Sequence, residues 1–273
     1  SVSSENVSAG QQAVTLGTLA LSDNTGVASN YSLTSATLDI NAKPVSLSGT
    51  RVYDSLDTVA STDLTISGTV SGQDLTLSGS GSMTAGANVG TNKTINTTGL
   101  SLGNGVSGTP GSTSNYSLVG GTHQITITQR PVTISGSRFY NSTTTVSSSD
   151  ISTFTNTAGG ETLAITGTGS VASALSGAGK TITLGTLTLT DGTGLASNYS
   201  LASGTFDVNS RQVNISGSRI FDGTTVVSGT DLVVTTGVGS EILTVTGTGS
   251  ISNANVGVGK SVTAGTLALA SGS

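Results

Sequence analysis

Cysteine and tryptophan are absent from the 273 residues, proline occurs three times, and Phe plus Tyr supply only nine rings. Without cysteine there is no disulfide framework, no thiolate zinc site and no thiol nucleophile, so stability must come from packing and backbone pairing. Charge is also scarce. Nine Lys and Arg stand against 14 Asp and Glu, a charged fraction of 8% and a net charge of −5, against about 25% charged residues in an ordinary globular domain. Ionic networks therefore cannot organise this surface. Nine scattered basic residues also form none of the clusters that displace counterions from nucleic acid or anionic lipid, which excludes both as partners. The longest apolar runs are broken by Ser, Thr and Gly and fall well short of the ~20 residues a membrane helix needs. The first ten residues, Ser1 to Gly10, carry no basic stretch followed by an apolar core, so any secretion signal is expected outside this sequence.

Glycine is abundant instead, with 39 copies, alongside many Ser and Thr. That composition alone suits disorder, but Val, Ile and Leu recur in period-two alternation, which is a strand signal. Self-similarity is equally plain. Three segments open alike: Pro44-Val-Ser-Leu-Ser-Gly-Thr-Arg51, Pro131-Val-Thr-Ile-Ser-Gly-Ser-Arg138 and Gln212-Val-Asn-Ile-Ser-Gly-Ser-Arg219. Each runs into an aromatic residue followed by an acid or amide: Tyr53-Asp54, Tyr140-Asn141 and Phe221-Asp222. A Gly-x-Gly-Ser block follows, ending at Ser82, Ser170 and Ser250, then a glycine-rich turn leading to Lys93, Lys180 and Lys260. Asn-Tyr-Ser-Leu recurs around Tyr31, Tyr116 and Tyr199. The period is about 83 residues. This register makes 44–130 and 131–211 complete repeats, 1–43 the C-terminal half of one, and 212–273 the N-terminal two-thirds of another. A chain that starts and stops inside a repeat is expected to be a segment of a longer protein.

Counting alternating runs gives seven or eight strands per repeat, the spacing of an all-β sandwich or barrel, and no window sustains helical periodicity. The fold expected is therefore all-β: tandem, Ig-like β-sandwich domains in an extended array. The alternative is a β-solenoid with about four short rungs per repeat. Discrete domains are preferred because Tyr53, Tyr116 and their counterparts occur once per repeat, without a ~20-residue subperiod. In the run Thr181–Thr190 the apolar pattern slips at Gly185, which reads as a β-bulge. Pro44 and Pro131 mark the joints between repeats, where a fixed φ and a missing donor stiffen a connection and would harm a central strand.

Chemistry-bearing residues are few. The single histidine, His123, has no counterpart in the next repeat, and no Ser-His-Asp arrangement can be assembled. No enzyme activity is expected. The glycine-rich turns before Lys93, Lys180 and Lys260 lack phosphate-loop spacing and a following helix, so they read as hairpin turns. Asp54, Asp57, Asp191 and Asp222 are the candidates for calcium, which needs six to eight oxygens with several carboxylates. The competing reading, favoured by the alignment of Asp54, Asn141 and Asp222, is that these side chains bond their own backbone in turns. Tyr31, Tyr116 and Tyr199 are expected to pack at a strand edge with the hydroxyl reaching backbone, as in a tyrosine corner. Arg51, Arg138 and Arg219 are expected to cover apolar surface with their stems or to pair with a carboxylate near the joint. Asn-x-Ser/Thr sequons at Asn6, Asn30, Asn92, Asn96, Asn115, Asn141, Asn198 and Asn214 are matches that so much Ser and Thr produces by chance.

The aromatic-Asp-Gly-Thr-Thr step at 221–225, the Thr-Gly-Thr-Gly-Ser block, Asn-Val-Gly-x-Gly-Lys and Asn-Tyr-Ser-Leu together resemble the YDG/MBG-type glycine-rich β repeats of large bacterial surface adhesins, the filamentous-haemagglutinin-like exoproteins. The resemblance covers essentially the whole chain. It departs at Ser55 and Ser142, which stand where the motif has Gly, and at Leu175-Ser-Gly177. It implies a cell-surface or secreted protein of Gram-negative bacteria whose repeats act as spacers, in adhesion or in a biofilm matrix, with a surface glycan or protein receptor bound elsewhere in the parent. Two rival expectations stand beside it: a weak glycan-binding module acting by multivalency, and an extracellular filament subunit completed by strand exchange with like chains.

Overall fold

The structure, a computed structural model, describes residues 1–8 and 10–271. It is all-β: among these residues the only helical turns are single 3-10 turns, such as Ser61–Asp63, Ser148–Asp150 and Ala196–Asn198. Each complete repeat is built of eight strands. In the first they are Ser46–Val52, Thr58–Ala60, Leu64–Ser67, Leu75–Met83, Gly90–Asn96, Leu100–Asn104, Tyr116–Ser117 and His123–Thr128. In the second they are Arg130–Phe139, Thr145–Ser147, Ile151–Thr155, Leu163–Thr166, Thr168–Val171, Gly177–Thr183, Thr188–Asp191 and Tyr199–Asn209.

The chain divides into two compact units. One holds Ser1–Pro131, Thr157–Glu161 and Thr193–Ser200; the other holds Val132–Asn156, Thr162–Gly192 and Leu201–Ser273. In the first unit the sheet runs, in spatial order, 58–60, 75–83, 90–96, 123–128, 46–52, 64–67, with 100–104 also pairing on 75–83. The closing strand His123–Thr128 lies parallel to the opening strand, with His123 opposite Leu47 and Thr128 opposite Val52, and antiparallel to Gly90–Asn96. The last strand of the repeat is thus paired beside its first. The second unit repeats the order as 145–147, 168–171, 177–183, 199–209, 130–139, 151–155.

Alternation fills the interior as a period of two demands. Val45, Leu47, Val59, Ile125 and Ile127 are buried in the first unit, and Val132, Ile134, Val146, Phe206 and Val208 at the aligned positions in the second. Arg138 lies over the buried Phe206 ring, 5.3 Å from its centroid, so an arginine stem and guanidinium roof that core.

The Gly-x-Gly-Ser block has two distinct backbone tasks. Its first glycine, Gly79, Gly167 or Gly247, takes φ of +82°, +90° or +85°. That left-handed step turns the strand from one partner to another: residues 75–79 pair with 100–104, while 80–82 pair with 58–60. In the second repeat the same step breaks the strand into Leu163–Thr166 and Thr168–Val171. The second glycine is a close approach, since a Cβ on Gly169 would lie 2.7 Å from the Thr183 carbonyl oxygen and 2.8 Å from Leu187 Cδ1. Gly185 is not the bulge its sequence pattern suggests. It takes φ +56° in the turn between Gly177–Thr183 and Thr188–Asp191, because the apolar run 181–190 is two strands and not one. Pro131 is the second residue of Arg130–Phe139 and Pro44 ends the two-residue strand Lys43–Pro44, each near a strand terminus where a missing donor is tolerated.

Candidate functional site

The most densely bonded polar cluster lies within the first unit, where residues from two successive repeats converge. Tyr53 follows the opening strand Ser46–Val52. Tyr199 follows the 3-10 turn Ala196–Asn198, and Glu161 closes a turn in which its amide donates to the Ala158 carbonyl at 2.8 Å. That turn needs left-handed backbone at Gly159 and Gly160, with φ of +56° and +74°. The Tyr53 hydroxyl donates to Glu161 Oε1 at 2.7 Å, and the Tyr199 hydroxyl donates to Oε2 at 2.5 Å. The Ala158 amide donates to the Tyr199 hydroxyl at 3.0 Å. The rings meet edge to face, 5.4 Å apart at 82°, the geometry their quadrupoles favour. Gly194 is required beside them, because a Cβ there would stand 2.5 Å from Glu161 Oε2.

A second set of bonds brackets the first. Asn198, fully buried, accepts from the Val89 amide through Oδ1 at 2.9 Å and donates through Nδ2 to Asn88 Oδ1 at 2.9 Å. Gln129 Nε2 donates to the Ser197 carbonyl at 3.1 Å, and Arg130 Nη1 to the Tyr53 carbonyl at 3.2 Å. One half-buried carboxylate therefore accepts two phenols whose own side chains are buried. The Tyr53 phenol is pushed up to about 12, first by burial and then by its bond to Glu161; burial is also the leading cause of the rise at Tyr199. Both stay protonated donors at neutral pH.

The arrangement recurs. Asn115 repeats the asparagine clasp, accepting from the Val7 amide at 2.9 Å and donating to Asn6 Oδ1 at 2.7 Å. The Tyr116 hydroxyl donates to Gln73 Oε1 at 2.5 Å and accepts from the Val70 amide at 3.1 Å. In the second unit the Tyr140 hydroxyl donates to Glu241 Oε1 at 2.5 Å, and that bond is the leading cause of a raised phenol pKa. Tyr31, by contrast, is 69% exposed, and Phe221, which holds the Tyr53 position without a hydroxyl, is 62% exposed.

Each arginine staples the loop that follows it. Arg51 Nη1 donates to the Thr58 carbonyl at 2.5 Å and Nη2 to that of Leu56; Arg138 does the same for Thr145 and Thr143, and Arg219 for Val226 and Thr224. Carboxylates share in it: Arg51 lies 3.2 Å from Asp54 and 3.5 Å from Asp63, Arg138 3.5 Å from Asp150, and Arg219 3.1 Å from Asp222. Asp54, Asn141 and Asp222 each accept, through Oδ1, the amide two residues on, at 3.0, 3.1 and 2.9 Å. At Asp222 that amide bond is the leading cause of a lowered pKa. The third motif position is left-handed in every case: Ser55 at φ +68°, Ser142 at +62° and Gly223 at +75°. Serine is thus held in the conformation the motif's glycine adopts freely.

Of the calcium candidates, Asp54 and Asp222 sit in these arginine-held turns. The Asp57 carbonyl accepts from the Met83 amide at 2.8 Å, and Asp191 ends the strand Thr188–Asp191. Among the described residues no three of His, Cys, Asp and Glu gather as a metal site. Lys93 Nζ donates to the Asn88 carbonyl at 2.5 Å and Lys260 Nζ to Asn253 Oδ1 at 2.8 Å, closing their own turns. His123 Nε2 lies 2.6 Å from the Leu118 carbonyl oxygen.

Sequence reasoning passed over two residue sets. Gln73, Glu161 and Glu241 stand nine residues before Ser82, Ser170 and Ser250, and the glutamine in the first repeat conceals the shared position of the two acids. Asp63, Asp150 and Asp231 cap the 3-10 turns, accepting the amides of Ala60, Ser147 and Ser228 at 3.2, 3.0 and 3.0 Å. Their signal was the recurrence of a small polar residue, Asp and then Leu or Ile.

Successive strand sets that share one core pattern define a tandem all-β repeat protein. A family description, the YDG domain, matches residues 39–127, 122–206 and 208–273. The chain belongs to that family. No curated protein and no solved structure matches it. Among the described residues no helix is long and apolar enough to cross a membrane.

Proposed function

We propose that the chain is a non-catalytic spacer segment of a large bacterial surface-exposed or secreted adhesin, holding an adhesive region away from its anchor in cell adhesion or a biofilm matrix. The observation that supports this reading is the tyrosine–carboxylate junction. Tyr53 of one repeat and Tyr199 of the next share Glu161, and Tyr140 repeats the bond to Glu241. A spacer needs its strongest specific contacts where successive repeats meet, and it needs the same contact at each meeting. The carboxylate with two phenolic donors meets the first need, since charge-assisted bonds are about twice as strong as neutral ones. Scarce charge and absent cysteine suit an exported structural element that relies on backbone pairing.

The test is to place the chain between a bacterial surface anchor and a binding module of known target. Cells should capture the target across a gap that the module cannot bridge when anchored directly, while the chain without the module should confer no adherence. Adherence by the chain alone would overturn the spacer reading in favour of a multivalent binding surface.

A further inference from the structure

The fold separates one of the eight Asn-x-Ser/Thr sequences from the rest. Asn198 is buried and its Nδ2 donates to Asn88 Oδ1; Asn115 uses its amide in the same clasp, with Nδ2 on Asn6 Oδ1. Asn92 and Asn96 belong to the strand Gly90–Asn96, and Asn96 Oδ1 accepts the Thr98 amide at 3.0 Å without the Thr98 hydroxyl. Asn214 opens the strand Asn214–Gly217, and Asn30 ends a 3-10 turn. Among the described residues, only at Asn141-Ser142-Thr143 does the third residue's hydroxyl reach the asparagine. There Thr143 Oγ1 donates to Asn141 Oδ1 at 3.0 Å and the Thr143 amide donates to the same oxygen at 3.1 Å.

All three of these residues are exposed. The turn itself does not call for an amide. At the aligned positions Asp54 and Asp222 accept the amide two residues on through Oδ1, and each adds an ion pair with its arginine, at 3.2 and 3.1 Å. Arg138 pairs instead with Asp150, at 3.5 Å. What Asn141 brings in place of that ion pair is an exposed amide nitrogen from which no group among the described residues accepts a bond. Asn-x-Ser/Thr in an exposed loop is the acceptor sequence for N-linked glycans.

We propose that Asn141 is an N-glycosylation site, preformed by the turn, for a sugar carried on a diphosphate. An amide nitrogen is a poor nucleophile because its lone pair is shared with its carbonyl. Loss of a proton from Nδ2 moves charge onto Oδ1, where two donors already point, and hydrogen bonds to a charged form favour it. Nδ2 then bonds to the anomeric carbon, the bond from that carbon to the diphosphate oxygen breaks with its electron pair leaving on the diphosphate, and the Nδ2 proton passes to a base of the transferase. Nothing is oxidised or reduced. This inference does not rest on the spacer reading, because it concerns what the chain carries and not what it holds apart.

The test treats the folded full chain with two donors in separate arms: uridine-diphosphate glucose with a soluble asparagine glucosyltransferase, and a polyprenyl-diphosphate oligosaccharide with a membrane transferase. Peptide mapping by mass spectrometry reads the site, and the arm that modifies Asn141 identifies the donor. Asn141 should be modified about tenfold faster than any other Asn-x-Ser/Thr site, and Thr143→Ala, which removes one bond to the developing charge, should slow it at least about tenfold. Asp222→Asn should create a second acceptor, since Thr224 already directs its amide and hydroxyl at Asp222 Oδ1, at 2.9 and 3.1 Å. Asp54→Asn, followed two residues on by Leu56, should create none. Asn141 left unmodified in both arms, other sites modified as fast in the folded chain, Thr143→Ala without effect, or Asp222→Asn left bare each overturns the proposal.

Discussion

Replacing Tyr53 by Phe removes one hydroxyl and leaves the ring, so its edge-to-face contact with Tyr199 at 5.4 Å persists. What is lost is the 2.7 Å bond to Glu161 Oε1. Hydrogen bonds to charged groups contribute about 1.5–3 kcal/mol, and a carboxylate oxygen left without its donor adds a desolvation cost. Tyr199 still holds the other oxygen, which limits the damage. The expected loss is ~2 kcal/mol, equivalent to about a thirtyfold shift in a local opening equilibrium. Hydrogen exchange at the Ala158 amide reads it directly, because that amide donates to the Tyr199 hydroxyl at 3.0 Å and is released when the cluster opens. Its protection should fall about thirtyfold in Tyr53→Phe. Tyr140→Phe, which breaks the bond to Glu241 in the other unit, should leave it unchanged. Protection at Ala158 within twofold of the parent in Tyr53→Phe would refute the claim that the shared carboxylate secures this junction.

Three further outcomes follow from the same structure. The Tyr53 phenol is raised from 10.0 to about 12, so between those values the folded chain keeps a proton the unfolded chain has released. Stability from this group is whole below pH ~10 and is lost as pH climbs towards ~12, a fall on the order of 1 kcal/mol once solvent screening is discounted; urea titrations across that range should show the alkaline arm flattened in Tyr53→Phe. Ser55→Gly and Ser142→Gly relieve left-handed serines, and thermal melts should show each stabilised by about 0.5–1 kcal/mol, whereas Gly223→Ser should cost a similar amount. Gly136→Ala would set a Cβ 2.1 Å from the Asp150 carbonyl oxygen, while Gly160→Ala meets nothing within 4 Å and bears only its φ of +74°; unfolding free energies from denaturant titrations should fall by about 3 kcal/mol in the first and about 1 kcal/mol in the second.

Much of the fold was legible because the sheet's period of two is written directly in the apolar pattern. Val132, Ile134, Phe206 and Val208 alternate in sequence and are all buried. The turn chemistry was legible too: Asp54, Asn141 and Asp222 align, and each bonds the amide two residues on. Strand boundaries were less so. The run 181–190 reads as one bulged strand, since a left-handed glycine in a tight turn and a bulge glycine leave the same slip in an alternating pattern. The junction was hidden for a different reason. Tyr53 and Glu161 are 108 residues apart, and nothing local to either tells which acid a phenol will reach. Tyr199 was legible as a tyrosine whose hydroxyl meets backbone, and the Ala158 amide does bond it; its carboxylate partner came only with the fold.

The central claim, that this is a spacer built by repeating one junction, is met most directly by small-angle X-ray scattering on the full chain and on chains lengthened by duplicating residues 131–211 once, twice and three times, at concentrations low enough to suppress association. The account predicts a maximum dimension that grows by a constant increment with each added repeat. Growth that tapers as the cube root of chain length, the signature of repeats collapsing into one globule, would contradict it.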